Sequence, residues 1–447
     1  MSNWVRLTIF FVVAVSLSLA HAASLCAEDW PTFLGPRHNS TSLETGLISP
    51  WPADGPEILW QKRLGTGYGI GSISEGKFFQ FDRYGNANRL VVLDVKTGEE
   101  LWTYEYPTDY EDALGYNNGP RCSPIIDGDR VYLYGAEGEL HCVSIPEKKL
   151  LWKRNLSQEY NVVPNFFGVG SSPVVFEDKL LVMVGGSPAE FKGLGPYQID
   201  RITGNGSGIV ALDKKTGQEI YKISDELASY ASLTLAEIDG RPWCFAFLRG
   251  GLLGFDPRDG KIDFHYPWRA AKLESVNASV PVVVGNEVFI SECYAVGSTL
   301  LRVKPGGYEV VWHDELRSRD HAMETHWNTA VYHDGYLYGS SGRHSAQAEL
   351  RCIEWKTGKV MWAERGLSRC SLLLVDEHLI CLSEYGPLLL LKANPEKYEE
   401  VSEVTLRDAA GNQLLRAPAW AAPILSDGRL FVRGEDRLVC LKAMQNK

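Results

Sequence analysis

The chain has 447 residues, of which 45% are hydrophobic and 23% are charged, a composition typical of a globular protein rather than a disordered or fibrous one. Its formal net charge of -11 argues against binding to a nucleic-acid backbone, which depends on basic surfaces. Beyond the amino terminus, no apolar run approaches the roughly 20 residues that a membrane-spanning helix needs.

The amino terminus is typical of a secretory signal. Arg6 precedes an apolar run at residues 7–20, and the small residues of AHAA follow, which predicts a signal peptide at 1–22 and a periplasmic or secreted protein that is soluble after cleavage. The alternative is a retained membrane anchor, although the 14-residue run is short for one. Lipid attachment at Cys26 is disfavoured because bulky Leu25 precedes it. Residues 23–56 are predicted to form an extended segment, and residues 57–447 to form one domain.

A phrase that ends in an aromatic residue recurs along this domain, mostly at intervals of 40 to 50 residues. Its copies are EILW at Trp60, GEELW at Trp102, KKLLW at Trp152, GQEIY at Tyr221, GKIDF at Phe264, YEVVW at Trp312 and GKVMW at Trp362, with a weaker copy near Val401. A period of this length is typical of propellers and solenoids.

A second phrase runs in step with the first and predicts a hairpin, because two alternating apolar runs flank a short polar turn. Its copies begin at Ser123, Ser172, Val280, Thr329, Ser371 and Ala422, with weaker ones near Ser72 and Ser232. Each unit then supplies a third strand, a tight turn and the aromatic-ended fourth strand. The sequence therefore predicts an all-β, eight-bladed β-propeller of four-stranded antiparallel blades. EILW is expected to complete the last blade, which has only three strands of its own, and so to close the ring.

The stretch LDVKTGEELW is interpreted as a structural unit rather than a site. The Asp94 carboxylate can accept hydrogen bonds from the turn, Gly98 can take a positive φ, and Trp102 can pack between blades.

These units resemble the tryptophan-docking motif of the pyrroloquinoline-quinone-type (PQQ-like) propeller repeats, with the pattern A-x-D-x-x-T-G-K-x-x-W. The motif occurs at residues 92–102, 211–221 and 352–362. The opening DWPTFLGPRHNSTSLETGL is similar to the start of exported bacterial members.

The resemblance implies a propeller fold, and it points to quinone-dependent alcohol and sugar dehydrogenases or to the propeller lipoprotein of the outer-membrane barrel-assembly machine. In the larger dehydrogenases the cofactor lies beside two adjacent cysteines, a Glu and an Asn hold calcium, and an Asp is the base. This sequence has no adjacent cysteine pair, so the resemblance assigns no catalytic residues here.

The candidate site follows from the loops that depart from the repeat. The loops entering the first strand of each blade and those joining the second strand to the third should share one face of the disc. Two positions before each hairpin stand Arg121, Gly170, Tyr230, Ala278, Trp327, Arg369 and Trp420, and the other loops of this face carry Arg83, Glu137, Arg249, Glu292, Arg343, His344, Glu384 and Arg433. Arginine beside aromatic rings can hold an anionic or planar ligand at the channel mouth. Alternatively, these arginines and glutamates pair with each other.

The densest polar cluster is HAMETHWN at residues 321–328, in which His321, Glu324 and His326 could ligate a metal. The spacing matches no zinc motif. An extended backbone would turn Glu324 and His326 to one side and His321 to the other, so we expect a hydrogen-bonded loop and no metal. In that loop His326 and Asn328 frame Trp327, and both belong to the candidate ligand-binding residues.

An insertion at residues 186–208 lies between the second and third strands of one blade, which puts it on the same face. It could serve as a lid, a partner contact or a passive loop.

We expect an exported, monomeric, non-catalytic propeller that binds a partner protein or a small polar or anionic ligand and needs no cofactor. The alternatives are a dehydrogenase dependent on PQQ and calcium, and an outer-membrane assembly scaffold.

Overall fold

The computed structural model describes residues 28–316, 318 and 320–445. The predicted signal peptide at 1–22 lies outside these residues. The described strands form eight four-stranded antiparallel sheets, which confirms the predicted eight-bladed propeller.

The first four blades follow one another along the chain. Blade 1 contains Ser72–Ser74, Lys77–Tyr84, Ala87–Asp94 and Glu100–Pro107. Blade 2 contains Ile125–Asp127, Arg130–Tyr134, Glu139–Ser144 and Lys149–Asn155. Blade 3 contains Val174–Phe176, Lys179–Met183, Ile209–Asp213 and Glu219–Ile223. Blade 4 contains Thr234–Ile238, Arg241–Phe247, Gly251–Phe255 and Ile262–Pro267.

The remaining blades continue the pattern, and the last one borrows its fourth strand. Blade 5 contains Val282–Val284, Glu287–Glu292, Gly297–Lys304 and Gly307–His313. Blade 6 contains Val331–His333, Tyr336–Ser341, Glu349–Glu354 and Val360–Arg365. Blade 7 contains Cys370–Val375, His378–Ser383, Leu388–Lys392 and Glu400–Val404. Blade 8 contains Ile424–Ser426, Arg429–Arg433, Arg437–Lys442 and the amino-terminal strand Ile58–Arg63.

The helical elements are short and lie between strands. They are an α-helix at Leu156–Glu159 and 3-10 helices at Ala189–Phe191, Pro196–Arg201 and Ser345–Gln347. None of the described helices is both long and apolar enough to cross a membrane.

The amino-terminal strand closes the ring as predicted. It pairs antiparallel with Arg437–Lys442, with Trp60 opposite Cys440. The pairing covers the edge that the last three strands would otherwise leave open, so the closed ring offers fewer free backbone groups for association with other chains.

The aromatic-ended phrase joins neighbouring blades, which confirms that it is a building unit. The Trp60 Nε1 donates to the Val95 carbonyl at 3.1 Å, and the Trp312 Nε1 donates to the Trp355 carbonyl at 2.8 Å. Gly98 has φ of 71°, and a Cβ at this position would lie 2.6 Å from the Trp60 ring. The turn therefore needs glycine both for its backbone conformation and for contact with the indole.

Hydroxyl groups connect the blades near the axis. The Ser172 Oγ accepts from the Ser123 amide at 3.1 Å, and the Ser232 Oγ accepts from the Ser172 amide at 2.9 Å. The Thr329 hydroxyl accepts from the Val280 amide at 3.1 Å in the same way. The hairpin phrase therefore begins with Ser or Thr in several blades because the side chain satisfies a backbone donor of the preceding blade.

The segment at residues 30–42, which we call the plug segment, lies against the inner strands of several blades. Trp30 pairs with Ile73 of blade 1, and the Ser42 amide donates to Leu374 of blade 7 at 2.9 Å. The sequence predicts only an extended segment here. Between these two contacts, Phe33 and His38 lie beside Val174 of blade 3 and Val280 before blade 5, so the segment crosses the central channel and closes one end of it.

Candidate ligand-binding site

The loops entering the eight blades converge on one cavity of about 650 Å³, which we call the cup. The residue two positions before each hairpin lines it in all eight blades: Ile70, Arg121, Gly170, Tyr230, Ala278, Trp327, Arg369 and Trp420. Phe33 and Leu34 of the plug segment also line the cup, so the plug segment forms its floor. The volume falls within the range of roughly 300–1,000 Å³ typical of small-molecule sites.

One side of the cup is a continuous aromatic surface, the tryptophan wall, formed by Tyr68, Trp327 and Trp420. The ring centroids of Trp327 and Trp420 are 5.5 Å apart, and those of Trp420 and Tyr68 are 4.7 Å apart. These distances are typical of favourable aromatic pairs, so the wall is a preformed surface for a flat molecule.

Arg369 supports the tryptophan wall. Its guanidinium carbon lies 5.5 Å from the Trp420 ring centroid and 5.9 Å from that of Trp327. Its Nε donates to the Glu384 Oε2 at 2.7 Å, and the Trp420 Nε1 donates to the same oxygen at 3.2 Å. Glu384 does not line the cup itself, and its carboxylate neutralises Arg369. Arg369 and Glu384 therefore bind each other, as the alternative interpretation of the sequence predicts.

Arg121 is also neutralised. Its Nη2 donates to the Asp112 Oδ2 at 2.5 Å and to the Asn117 carbonyl at 2.7 Å. The guanidinium lies 5.8 Å from the Tyr68 ring centroid and 5.3 Å from that of Tyr110. Arg121 therefore holds the loop beside the tryptophan wall and forms an ion pair of its own.

Arg343 differs from the other two lining arginines. Its guanidinium carbon lies 4.4 Å from the centroid of the Tyr294 ring. No carboxylate of the described residues lies within 4.0 Å of its nitrogens, and no described acceptor hydrogen-bonds to them. The side chain is half-buried, so Arg343 brings an unneutralised positive charge to the wall of the cup.

His326 and Asn328 hold the loop that carries Trp327, and both line the cup. The Asn328 Oδ1 accepts from the His326 amide at 3.3 Å, and its Nδ2 donates to the Ser340 carbonyl at 2.9 Å. Burial lowers the pKa of His326 to about 3, and the positive charges of Arg369, Arg343 and His344 contribute. His326 is therefore a neutral ring at physiological pH.

A second aromatic surface faces the cup from blades 2 to 4, and Tyr230 is the one member of it that stands at a predicted position. This phenylalanine wall consists of Tyr116, Phe166, Phe167, Tyr197 and Tyr230. Phe167 lies 5.9 Å from Tyr116 and 5.6 Å from Tyr230, centroid to centroid. The missed residues stand in the irregular loops before the hairpins and in the insertion, where aromatic residues break the repeat just as Trp327 does.

Besides Glu384, five residues of the predicted face do not line the cup: Arg249, Glu292, Arg83, Glu137 and Arg433. The Arg249 Nη2 donates to the Asp200 Oδ1 and to the Leu273 carbonyl, both at 2.8 Å. The Glu292 Oε2 accepts from the Ala270 amide at 3.2 Å. The side chains of Arg249 and Glu292 are buried, because the insertion and the loop at residues 268–281 cover them.

The insertion lies beside the cup, on the face that the sequence predicts. Ile199 and Ile202 pack with Val163 and Leu227 in a small apolar cluster. Tyr197, which lies with Ile199 in the 3-10 helix Pro196–Arg201, lines the cup. The insertion is therefore a packed part of the wall.

The expectation for the HAMETHWN segment was wrong in one respect. The His321 Nδ1 lies 2.8 Å from the Glu324 Oε1, so these two side chains lie on the same side. The reason is that the segment bends instead of continuing as a strand, and alternation does not apply.

The cofactors implied by the repeat resemblance fit the cup only in part. Its arginines and aromatic walls suit a flat anion, as PQQ is. Calcium needs six to eight oxygen ligands, several of them carboxylates. Glu274, which is exposed, is the only carboxylate among the described lining residues, and the described part of the chain has no group of three or more His, Cys, Asp or Glu arranged to hold a metal. The donor set therefore does not fit the calcium site of a quinone dehydrogenase.

The chain is similar to several solved structures, each at low sequence identity. The chain is similar to the quinohemoprotein alcohol dehydrogenase from Comamonas testosteroni, with 13% identity over 94% of this chain and 81% of that one and a TM-score of 0.64. It is also similar to a europium-containing methanol dehydrogenase, with 12% identity over 92% of this chain and 90% of that one and a TM-score of 0.50. A third similar structure is BamB from Moraxella catarrhalis, with 15% identity over 90% of this chain and 92% of that one and a TM-score of 0.44.

No curated protein sequence matches the chain significantly. A family model does, and its match extends over residues 48–364, which is more than half of the chain. This match begins just before the strand that closes the ring and ends in the last strand of blade 6. The chain therefore belongs to the PQQ-like repeat family whose model is described as outer membrane protein assembly factor BamB.

Proposed function

We propose that this protein is an exported, non-catalytic propeller that holds a small, flat organic molecule in the cup. The observation that carries the proposal is the arrangement of two aromatic walls around a cavity of about 650 Å³ whose floor is the plug segment. A flat ring can bury both faces between such walls and gain both apolar burial and stacking.

The closed floor supports a small molecule over a threaded peptide. Trp30 is almost fully buried against the inner strands, and Phe33 and Leu34 occupy the axis that a peptide would have to follow. A ligand must therefore enter and leave by the loop face, where the cup is open.

The protonation states of the cup support binding without catalysis. A general base works best with a pKa near the operating pH, whereas His326 has a pKa of about 3. The carboxylates of Asp112 and Glu384 form ion pairs with Arg121 and Arg369. His326 is therefore poorly matched to proton transfer at neutral pH, and the two carboxylates are held by their arginine partners.

Two measurements test this proposal. The purified full chain is denatured and the released small molecules are identified by mass spectrometry, and a flat probe, 2-naphthoate, is titrated by calorimetry. Trp327→Ala should weaken probe binding by a factor of roughly 5 to 150, because stacking on one aromatic ring contributes roughly 1–3 kcal/mol. Trp152→Phe is the matched control, since this half-buried aromatic residue lies between blades and outside the cup.

The proposal fails if the chain with added PQQ and calcium reduces a dye with alcohols or aldoses and Trp327→Ala abolishes that turnover. The protein would then be a quinone-dependent dehydrogenase. The proposal also fails if neither the released fraction nor the titration gives a ligand that depends on Trp327.

A second candidate is a scaffold role in outer-membrane protein assembly, which the family description favours. Three aromatic residues at the mouth of the cup, Tyr116, Tyr197 and Tyr385, are 63%, 65% and 54% exposed and could contact a partner protein. Pull-down from solubilised membranes tests this role. A partner retained by the wild type and lost from Tyr116→Ser and Tyr385→Ser, but not from Tyr84→Ser on a strand end of blade 1, would support it.

A further inference from the structure

We infer that the molecule held in the cup carries a single negative charge and that Arg343 is the residue that selects it. This inference rests on the proposed function, because it names the chemical class of ligand for the same site. It follows from which charged side chains of the cup have a partner of opposite charge and which do not.

Two of the three arginines that line the cup already have carboxylate partners. Arg121 pairs with Asp112 at 2.5 Å, and Arg369 pairs with Glu384 at 2.7 Å. The side chains of Asp112 and Glu384 are 0% and 6% exposed, so neither carboxylate can turn out to water. An incoming acid would have to displace a buried partner, which leaves an uncompensated charge behind and is strongly unfavourable.

Arg343 has no such partner among the described residues. It rests on the Tyr294 ring at 4.4 Å, and its forked N–H groups hydrogen-bond to no described acceptor. A carboxylate can bind this fork through two parallel charge-assisted hydrogen bonds. The cup therefore offers one open position for an acid group.

His344, which adjoins Arg343 in the chain, is the other lining group of the described residues that can carry a positive charge without a carboxylate partner. Glu274, the one lining carboxylate of the described chain, is exposed to solvent and forms no ion pair there. The low pKa of His326 is consistent with this local field, since the charges of Arg369 and Arg343 contribute to it. A second acid on the ligand would have to lie against the aromatic walls, where an unpaired charge loses its hydration.

The position of Arg343 also orients the ligand. The Arg369 Nη1 donates to the Arg343 carbonyl at 3.1 Å, and Arg369 itself lies against Trp327 and Trp420. The Arg343 guanidinium lies over Tyr294, whose ring centroid is 5.8 Å from that of His326, the residue next to Trp327, so an acid group on Arg343 places the attached ring in this part of the cup. The expected ligand class is an aromatic or other flat molecule with one carboxylate or an equivalent monoanionic group.

The test compares three probes that share one ring system, titrated into the full chain by calorimetry at low ionic strength: 2-naphthoate, its neutral carboxamide, and naphthalene-2,6-dicarboxylate. We expect 2-naphthoate to bind about tenfold more tightly than the carboxamide, as a hydrogen-bonded charge pair implies, and more tightly than the dianion. Arg343→Gln should abolish the preference for the carboxylate, and Arg343→Lys should restore part of it, because lysine keeps the charge without the fork. Arg63→Gln is the matched control, since this arginine is 79% exposed on the outer strand of blade 8.

The outcomes separate the two proposals. If the carboxamide binds as tightly as 2-naphthoate and both need Trp327, the binding function stands and the role of Arg343 is wrong. If the dianion binds most tightly, or if Arg63→Gln weakens the carboxylate as much as Arg343→Gln does, selection of a monoanion by Arg343 is also wrong. If none of the three probes binds, the proposed function fails and this inference fails with it.

Discussion

The Nε of Arg369 donates to the Oε2 of Glu384 at 2.7 Å, and both side chains are nearly excluded from water behind the tryptophan wall. The same carboxylate oxygen accepts from the Trp420 indole, so one acidic group positions both the cation and a ring of the wall. This relationship makes Glu384 a support of the cup even though it does not line the cavity.

Glu384→Gln should therefore destabilise the protein and change its ligand preference. Loss of a buried ion-pair partner lowers the free energy of unfolding by about 3 kcal/mol. Arg369 would become a second unneutralised cation, so naphthalene-2,6-dicarboxylate should bind more tightly to the variant than to the wild type. Urea unfolding and calorimetry measure the two effects. Glu309→Gln, which removes an exposed pair with Lys304, should leave the stability nearly unchanged, because solvent screens such a pair.

Glu292 should make stability depend on pH. Burial raises its pKa from 4.5 to about 7. Between these values the folded chain holds a proton that the unfolded chain releases, so the free energy of unfolding falls as pH rises and the contribution is lost above pH 7.

Urea unfolding at several values between pH 5 and pH 8 measures this dependence. Glu292→Gln should flatten it, and the exposed Glu57→Gln should leave it unchanged. Parallel pH profiles for the wild type and Glu292→Gln would contradict the role of this carboxyl group.

The blade junction gives a prediction with a close internal control. Gly98 and Gly76 share a φ of 71°, but a Cβ at Gly98 would lie 2.6 Å from the Trp60 ring, whereas a Cβ at Gly76 meets nothing within 4 Å. Both alanine variants carry the cost of a positive φ, and only Gly98→Ala adds a clash. Gly98→Ala should therefore be less stable than Gly76→Ala by about 2 kcal/mol in urea unfolding. Equal losses would mean that the indole moves aside without cost.

Ligand binding should be insensitive to pH around neutrality. Because the pKa of His326 is about 3, its ring stays neutral from pH 6 to pH 9 and adds no charge to the cup. The dissociation constant of 2-naphthoate, measured by calorimetry, should change less than about twofold over this range. Binding that tightens as pH falls from 7 to 6 would show that a histidine of the cup gains a proton in that range, and His326→Gln compared with His344→Gln would identify which one, since both line the cavity.

Much of the fold could be predicted because the repeat supplies independent copies of the same information. Each blade has the same hairpin and the same aromatic-ended strand, so a weak copy such as the one near Ser232 is identified by its neighbours. The closure by EILW follows because the last unit lacks one strand. The plug segment has no such copies, and its position across the channel could not be inferred.

The same distinction between repeated and unrepeated segments applies to the site. Symmetry brings the positions two residues before each hairpin to the axis, so Arg121, Trp327, Arg369 and Trp420 could be grouped from the sequence and do line one cavity. The partners of those residues could not be inferred, because Asp112 lies in an irregular loop whose path no repeat constrains. The same lack of periodicity explains the misplaced His321 side chain and the burial of Arg249 under the insertion.

The sequence by itself determined the number of blades, their strand order, the closure of the ring and the set of residues that meet at its axis, since periodic apolar patterning and a fixed turn dictate them. Only the tertiary structure decided that the channel has a floor, that two arginines are neutralised while Arg343 is not, and that scattered loop aromatics form walls. Those features depend on contacts between segments far apart in the chain, and their geometry is set by packing rather than by any local pattern.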